Sequence, residues 1–200
     1  PSAARLSAEE AISLCPVLDP DVTAGGVLEP DAQDLDVHAL HLGYQRGMRQ
    51  RGGALRTSAP IEALRPTERG WEVDAGGGTI RADTVVNAAG AWADVIAGIA
   101  GVEPVGLVPK RRTAFTFRPP AGTDTRSWPM VIDVDERWYF KPEGPHLLAS
   151  PADEMPMEPH DVRHREEDVA LAIDRIQGAT TMTIRSIEHA WAGLRSFVAD

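Results

Sequence analysis

The stretch from Asp83 to Asp94, DTVVNAAGAWAD, constrains the fold of this chain more than any other. Val85 and Val86 favour a short buried strand, because β-branched residues fit a pleated, half-buried surface. The corner Ala88-Ala89-Gly90 has almost no side chain, so a ligand can approach its backbone closely. A tight strand–helix junction packed only for its own sake is the alternative. An apolar stripe at i, i+3, i+4 and i+7 predicts the helix that follows; its members are Trp92, Val95, Ile96 and Ile99.

Composition and charge narrow the class of protein. Apolar residues make up 42% and charged residues 25% of the chain, which is typical of globular proteins. The net charge of -10 makes nucleic acid and anionic membranes poor partners. The single cysteine, Cys15, excludes a disulfide within the chain, and its apolar neighbours predict a buried, inert thiol. Without a long apolar run or a signal-peptide core, the default expectation is a cytoplasmic, reduced protein.

The first half of the chain reads as two helices and a set of short strands. A capping box from Ser7 to Glu10 opens a helix that ends before Pro16. Gly76-Gly77-Gly78 predicts a hairpin turn rather than a phosphate loop, because no helix follows it. A second helix is capped by Asp34 and ends at Gly52-Gly53, with an inner face of Val37, Leu40, His41, Tyr44 and Met48. Strands are predicted at residues 26–28, 54–57, 61–65, 70–75 and 79–82.

After Gly101 the pattern predicts an antiparallel sheet, because Pro-Gly turns separate strand-prone runs. The first run carries Lys110, Arg111 and Arg112, which we interpret as a solvated charge run on an edge strand, or alternatively as a phosphate site. A helix over residues 163–177 ends at Gly178. Strands are predicted at residues 105–117, 130–134, 137–141, 146–150 and 181–190.

Motifs for hydrolysis and for metal binding are weak. The serines lack the G-x-S-x-G setting of a hydrolase nucleophile. His160 and His164 have the i, i+4 spacing of metal ligands if they lie on a helix, but the glutamate of a zinc hydrolase is missing. We therefore predict no metal site and no catalytic acid or base.

Three segments resemble the D-amino-acid oxidase/glycine oxidase family of FAD-dependent oxidoreductases. PDAQDLDVHALHLGYQRGMRQRGGALRTSAPIEAL resembles the helix and the strand that lie alongside the adenine. DTVVNAAGAWAD resembles the second cofactor-contacting corner, and RWYFKPEGPHLLASPADE resembles the strand pair that roofs the flavin. The resemblance implies an α+β fold: an antiparallel substrate-domain sheet with helices, plus the middle part of a Rossmann-like FAD-binding domain.

The resemblance also divides the chain. Residues 1–30 would lead into the substrate domain, 31–100 form the middle of the FAD-binding domain, 101–190 form the substrate domain, and 191–200 begin the return to the FAD domain. No G-x-G-x-x-G loop is present in the sequence. The family pattern therefore implies an interior fragment that lacks both cofactor-binding ends, is inactive alone and does not bind FAD alone, whereas the full-length protein binds FAD.

Few residues carry over from the family pattern. Arg195, in the segment WAGLRSFVAD, resembles the arginine that holds a substrate carboxylate, and Tyr139 resembles an aromatic residue of the substrate pocket. An ion-paired surface arginine and a packing tyrosine are the alternatives. Ser196 follows Arg195 where the family often has proline. The residues that match cofactor contacts are Ile61, Ala88, Ala89 and Gly90.

The activity implied by the resemblance is oxidation of the C–N bond of an amino acid or small amine, with hydride transfer to the flavin. The expected partners are a small-molecule substrate and the missing segments of the same chain. Two alternatives stay open. One is FAD-dependent oxidation of a C–O bond, as in glycerol 3-phosphate or a 2-hydroxy acid. The other is a non-catalytic interaction module.

Overall fold

The computed structural model describes residues 3–198 and divides into two units. The first unit comprises residues 30–105, and the second comprises residues 3–29 together with 106–198. The predicted α+β class is confirmed, since helices accompany antiparallel sheets in both units. None of the helices in the described part of the chain has the length and apolarity needed to span a bilayer.

The first unit contains a three-stranded antiparallel sheet in the order β3-β4-β5. Ala75 pairs with Gly78, and Gly76 and Gly77 have φ angles of 57° and 77°. Two consecutive left-handed residues make the turn that matches strand twist, which confirms the predicted hairpin. A small core of Leu64, Val73 and Ala75 packs against α3. The elements of this unit are α2 (Val37–Gln50), β3 (Ile61–Thr67), β4 (Gly70–Ala75), β5 (Gly78–Ala82), a 3-10 turn (Gly90–Trp92) and α3 (Ala93–Ile99).

The second unit is built around strand β6. The main sheet has the order β10-β6-β9-β8-β7. Every residue of β11 pairs with β6, along the edge of β6 that faces away from β9 and β10. The smaller elements β1 and β2 form a two-stranded ribbon. The elements are β1 (Ala4–Leu6), α1 (Ala8–Leu14), β2 (Gly26–Leu28), β6 (Leu107–Phe117), β7 (Val131–Ile132), β8 (Tyr139–Glu143), β9 (His146–Ser150), β10 (Met155–Pro156), α4 (Glu166–Ala179) and β11 (His189–Val198).

One face of this sheet forms the core of the second unit. Phe115 pairs with Ala149, and Ala149 pairs with Phe140, so the three side chains lie side by side. They are fully buried. Cys15 belongs to the same cluster, and burial raises the pKa of its thiol to about 11, which confirms a buried thiol with little thiolate character. Helix α4 supplies Val169, Ala172 and Ile176 to this core.

The opposite face of the sheet is where the predicted substrate residues lie. Successive strand residues point to opposite faces, so Tyr139 lies on the face away from the core residue Phe140. Lys110 and Arg112 lie on that face too, because Arg111 between them is buried. Arg195 pairs directly with Lys110 and shares its face.

Several local predictions are confirmed and several are wrong. Helix α1 has the predicted capping box, with the Glu10 N–H donating to Ser7 Oγ at 3.2 Å. Helix α2 is capped by Asp36, not by Asp34, because the Asp36 carboxylate accepts from the Ala39 N–H at 2.8 Å. The predicted inner face of α2 is not a core face: the helix buries no residue, and Tyr44 is 73% exposed. The spacing of apolar residues predicts an apolar stripe on the helix, but it does not show whether another element packs against that stripe.

Two predicted strands do not form. Residues 54–57 and 85–86 lie outside the strands of the first unit, and Val86 is 82% exposed. β-propensity reflects how well a residue fits a sheet surface, and these residues have no strand beside them among residues 3–198.

Long-range pairing overrides local signals near the C-terminus. The predicted strand at 181–190 is replaced by β11, since ten residues from His189 pair with β6. Helix α4 continues past Gly178 to Ala179. Residues 191–198 lie in β11 and pair with β6 in the sheet of the second unit. The return to the FAD domain at 191–200 stays a prediction, and residues 199 and 200 lie outside the described chain.

The basic run at residues 110–112 is not an edge strand with solvated charges. β6 has strands on both sides, and each cation contacts a carboxylate. Lys110 and Arg112 both contact Glu154 at 2.9 Å, and Arg111 pairs with Asp153 and Asp168. The sequence spacing could not reveal these partners because they lie about forty or more positions away.

Candidate functional site

A cleft of about 510 Å³ in the second unit brings together Tyr139 and Arg195, the two predicted substrate residues. They come from β8 and β11, which are not adjacent strands. The remaining residues that line the cleft are Arg112, Met130, Ile132, Asp135, Glu136, Ala152 and Glu154. Another cleft, of about 600 Å³ in the first unit, contains none of the predicted site residues.

Tyr139 is held in place by the aromatic residues on either side of it. Trp138 and Phe140 are both buried, and their rings stack at 5.9 Å. Pairing with Ile132 and Ser150 fixes the backbone of Tyr139 between β7 and β9. The phenol is therefore presented from a rigid element, with its hydroxyl available as a hydrogen-bond donor.

Arg195 differs from the other arginines of the sheet. Its guanidinium carbon lies 5.8 Å from the centre of the Phe197 ring. Within residues 3–198 it has no carboxylate at ion-pair distance, whereas Arg111 has two and Arg112 has one. An exposed guanidinium of this kind can take a ligand carboxylate through two parallel hydrogen bonds.

Glu154 is a cleft residue that sequence reasoning missed. Its Oε2 accepts from Lys110 Nζ and its Oε1 accepts from Arg112 Nη2, each at 2.9 Å. The hydrogen bond from Lys110 holds the pKa of the Glu154 carboxyl below its usual value, with further contributions from the charges of Lys110, Arg112 and Arg195. The only sequence signal was the basic run itself, which requires counter-charges somewhere in the fold.

Two residues of the cleft adopt an uncommon backbone conformation. Glu136 and Ala152 have φ angles of 54° and 55°, in the left-handed region that disfavours residues with a Cβ. The Ala152 N–H donates to Ser150 Oγ at 3.0 Å, which helps to hold that turn. Such conformations persist where the surrounding structure enforces them, and they concentrate at functional sites.

The predicted cofactor residues lie in the first unit. Ile61 is the first residue of β3 and is half-buried against the small core. At the corner, Ala88 and Gly90 are exposed, Gly90 has a φ of 56°, and no atom lies within 4 Å of the place where a Cβ would stand. The Asn87 side chain accepts from the Ala89 N–H at 3.3 Å and donates to the Ala93 carbonyl at 2.8 Å. This open, shaped backbone fits close contact with a cofactor such as FAD.

The histidine pair does not form a metal site. His160 and His164 precede α4 and are not helical, so the i, i+4 spacing does not bring them to one face. Among residues 3–198 no group of three or more metal-ligating side chains is present.

Comparison with known proteins agrees with the fold and with the family resemblance. The model of the family described as FAD dependent oxidoreductase matches residues 1–200. The mitochondrial dimethylglycine dehydrogenase of Rattus norvegicus is 29% identical over 145 residues, which is 72% of this chain and 17% of that protein.

Solved structures show the same fold. Glycine oxidase from Geobacillus kaustophilus matches with a TM-score of 0.85 and 21% identity over 98% of this chain and 52% of that one. L-proline dehydrogenase from P. horikoshii matches with a TM-score of 0.82 and 20% identity over 96% of this chain and 52% of that one. The chain thus spans about half the length of these structures.

Proposed function

This chain belongs to the FAD-dependent oxidoreductase family, and we propose that the full-length protein oxidises the C–N bond of an amino acid or small amine. The observation that carries the proposal is the cleft shared by Tyr139 and Arg195. A hydroxyl donor and an unpaired guanidinium in one cleft suit a carboxylate-bearing ligand. Relatives named as acting on glycine and on proline support the same class of substrate.

Substrate binding and orientation are the contributions of the cleft residues. Arg195 binds the carboxylate through two N–H groups, and the Tyr139 hydroxyl donates to the same carboxylate. Two fixed contacts hold the α-carbon in one orientation, which lowers the entropic part of the barrier. Met130 and Ile132 line the cleft with apolar surface that excludes water from the side chain of the substrate.

The cofactor contacts are proposed for the first unit. The backbone of Ile61 and the corner of Ala88, Ala89 and Gly90 would hold part of FAD. When bound, FAD supplies the hydride acceptor. Since the sequence contains no G-x-G-x-x-G loop, residues 1–200 by themselves are proposed to be inactive and to hold no FAD.

Substitution of Arg195 in the full-length protein tests this function. Arg195→Ala should raise KM for carboxylate substrates by roughly a hundredfold, because a charged hydrogen-bonding pair is lost. The KM of Arg195→Lys should lie between those of the wild type and of Arg195→Ala, since an ammonium group keeps the charge but cannot form the two parallel hydrogen bonds. Steady-state kinetics with an amino acid and with the matching amine that lacks the carboxylate supply the measurement. Unchanged kinetics in Arg195→Ala would rule out the carboxylate contact.

Oxidation of a C–O bond is the second candidate function. Lys110, Arg112 and Arg195 lie on one face of the sheet, which is an arrangement that could meet a phosphate. Product analysis separates the two reactions, because C–N oxidation of a primary amine yields ammonia and C–O oxidation yields a carbonyl without ammonia.

A further inference from the structure

Three cations and one carboxylate meet on the cleft face of the main sheet. Lys110 and Arg112 are two residues apart on β6, and Arg195 lies opposite Lys110 on β11. Glu154 contacts Lys110 and Arg112 simultaneously, one oxygen to each. Its single charge is therefore shared between two cations. Arg195 interacts with Glu154 only through the longer-range attraction of their charges, because no ion pair joins Arg195 to a carboxylate among residues 3–198.

The segment that carries Glu154 is fixed to β6. The Asp153 carboxylate accepts from the Thr113 N–H at 2.6 Å and pairs with Arg111. Arg112 Nε also donates to the Asp153 carbonyl oxygen at 2.9 Å. Because its neighbour is anchored from both main chain and side chain, Glu154 stays beside the two cations when a ligand enters.

The remaining charges of the cleft add to this effect. Asp135 and Glu136 line the same cleft, so the ligand meets two guanidinium groups and three carboxylates, of which Asp135 is partly compensated by the Arg137 guanidinium at 3.6 Å. The Glu154 carboxylate is ionised at neutral pH, as an exposed glutamate is, and the hydrogen bond from Lys110 lowers its pKa further. A ligand with one negative charge needs one cation, but a ligand with two negative charges is repelled by the acidic residues around it.

We propose that Glu154 is a specificity-determining residue that restricts the cleft to ligands with a single negative charge. It does so by cancelling one of the two positive charges of Lys110 and Arg112 and by accepting a hydrogen bond from each, so that Arg195 is the cation left to contact the anion. The inference rests on the proposed function and names its substrate class: monocarboxylate amino acids or amines, with dicarboxylates and phosphate esters excluded. Without Glu154, the three cations would form a site suited to a dianion.

The expected effect of Glu154→Gln follows from Coulomb's law. Removal of one negative charge raises the potential in the cleft, and the gain in binding energy is proportional to ligand charge. A gain of about threefold in the affinity for a monoanion therefore implies about tenfold for a dianion of similar size. Glu158→Gln is the matched control, since Glu158 is exposed in the same unit and lies outside the cleft.

The experiment measures the binding of acetate and malonate to the full-length protein at pH 8. The methyl carbon of Met130, which lines the cleft, is labelled with ¹³C and followed by NMR, and Met130→Leu assigns the signal. In Glu154→Gln, the affinity for malonate should rise about threefold more than the affinity for acetate. In Glu158→Gln, neither affinity should change.

Each outcome bears on one proposal. Equal fold-changes for acetate and malonate in Glu154→Gln would overturn the role of Glu154 while leaving the carboxylate cleft intact. If acetate moves no Met130 signal in the wild type, the cleft binds no carboxylate and the proposed function fails. If Glu154→Gln does not fold, Lys110→Gln tests the proposal in the other direction. Loss of the Lys110 charge leaves Glu154 with Arg112 as its only contacting cation, so malonate binding should weaken more than acetate binding. Equal weakening of the two would overturn the proposal.

Discussion

Arg111 and Arg112 are neighbours in sequence, yet their guanidinium groups lie in opposite environments. The Arg111 side chain is 3% exposed and joins Asp153 of the loop after β9 to Asp168 of α4. Arg112 points the other way and lines the cleft. The alternation of side chains along β6 gives one residue a role in holding the helix on the sheet and the next a role at the ligand.

Loss of Arg111 should destabilise the second unit strongly. Arg111→Met leaves the carboxylates of Asp153 and Asp168 close together without their shared cation, and breaking such a buried pair costs about 3 kcal/mol. The free energy of unfolding in urea measures this cost. Arg126→Met is the control, because the Arg126–Asp124 pair is exposed and should contribute nothing measurable. An Arg111 variant as stable as the control would contradict the structural role.

Some residues of the cleft could be predicted from the sequence, and others could not. Arg195 and Tyr139 are predicted substrate residues that come from the family resemblance, and both line one cleft. Glu154 was not found, because its importance depends on two cations more than forty positions away. The charge run at residues 110–112 was seen but misinterpreted, since a strand's position within a sheet depends on pairing with distant strands.

At the scale of elements, sequence patterns within a few residues predict caps and turns correctly, whereas strand positions depend on pairing with distant strands. The capping box of α1 and the glycine turn between β4 and β5 depend only on residues a few positions apart, and both are confirmed. The strand at 85–86 was wrong because no neighbouring strand is present beside it in the described chain. β11 was misplaced by eight residues at its start, since its register is set by β6.

The cap of α1 should contribute measurably to stability. In Ser7→Ala, the Glu10 N–H loses its acceptor while the backbone N–H of residue 7 keeps its Glu10 carboxylate partner, so we expect a loss of about 1 kcal/mol. Ser13→Ala is the control, because Ser13 Oγ only donates to a carbonyl inside the same helix. Urea unfolding of both variants checks the difference. Equal stabilities would mean that the cap contributes nothing beyond the packing of the helix.

At the scale of the whole molecule, the second unit is assembled from two stretches of sequence. Thr181 N–H donates to the Val17 carbonyl at 2.8 Å, and Asp19 N–H donates to the Ala179 carbonyl at 3.1 Å. Cys15 and Val17 also belong to the core formed by the main sheet and α4. These contacts join residues 3–29 to residues 106–198, which are separated in the sequence by the whole first unit.

Cleavage of the chain between its units should therefore leave the second unit assembled. A site for a specific protease inserted in the exposed residues 30–36, and a second in residues 102–105, would cut the covalent connection between residues 3–29 and the sheet. We expect the N-terminal and C-terminal fragments to elute together in size-exclusion chromatography, with mass spectrometry to identify them. Separate elution under native conditions would contradict the division of the chain into these units. A single cut at residues 102–105 serves as the control.

The split origin of the second unit has a consequence for biosynthesis. The ribosome translates α1 and Val17 before the first unit, then the entire first unit before β6 exists, and α4 and β11 only after β6. The hairpin strands β3, β4 and β5 can pair with one another as they emerge from the exit tunnel, whereas Cys15 and Val17 of residues 3–29 must wait for the main sheet and α4. The nascent chain is thus most dependent on chaperones during translation of its middle, and rare codons there would prolong that exposure.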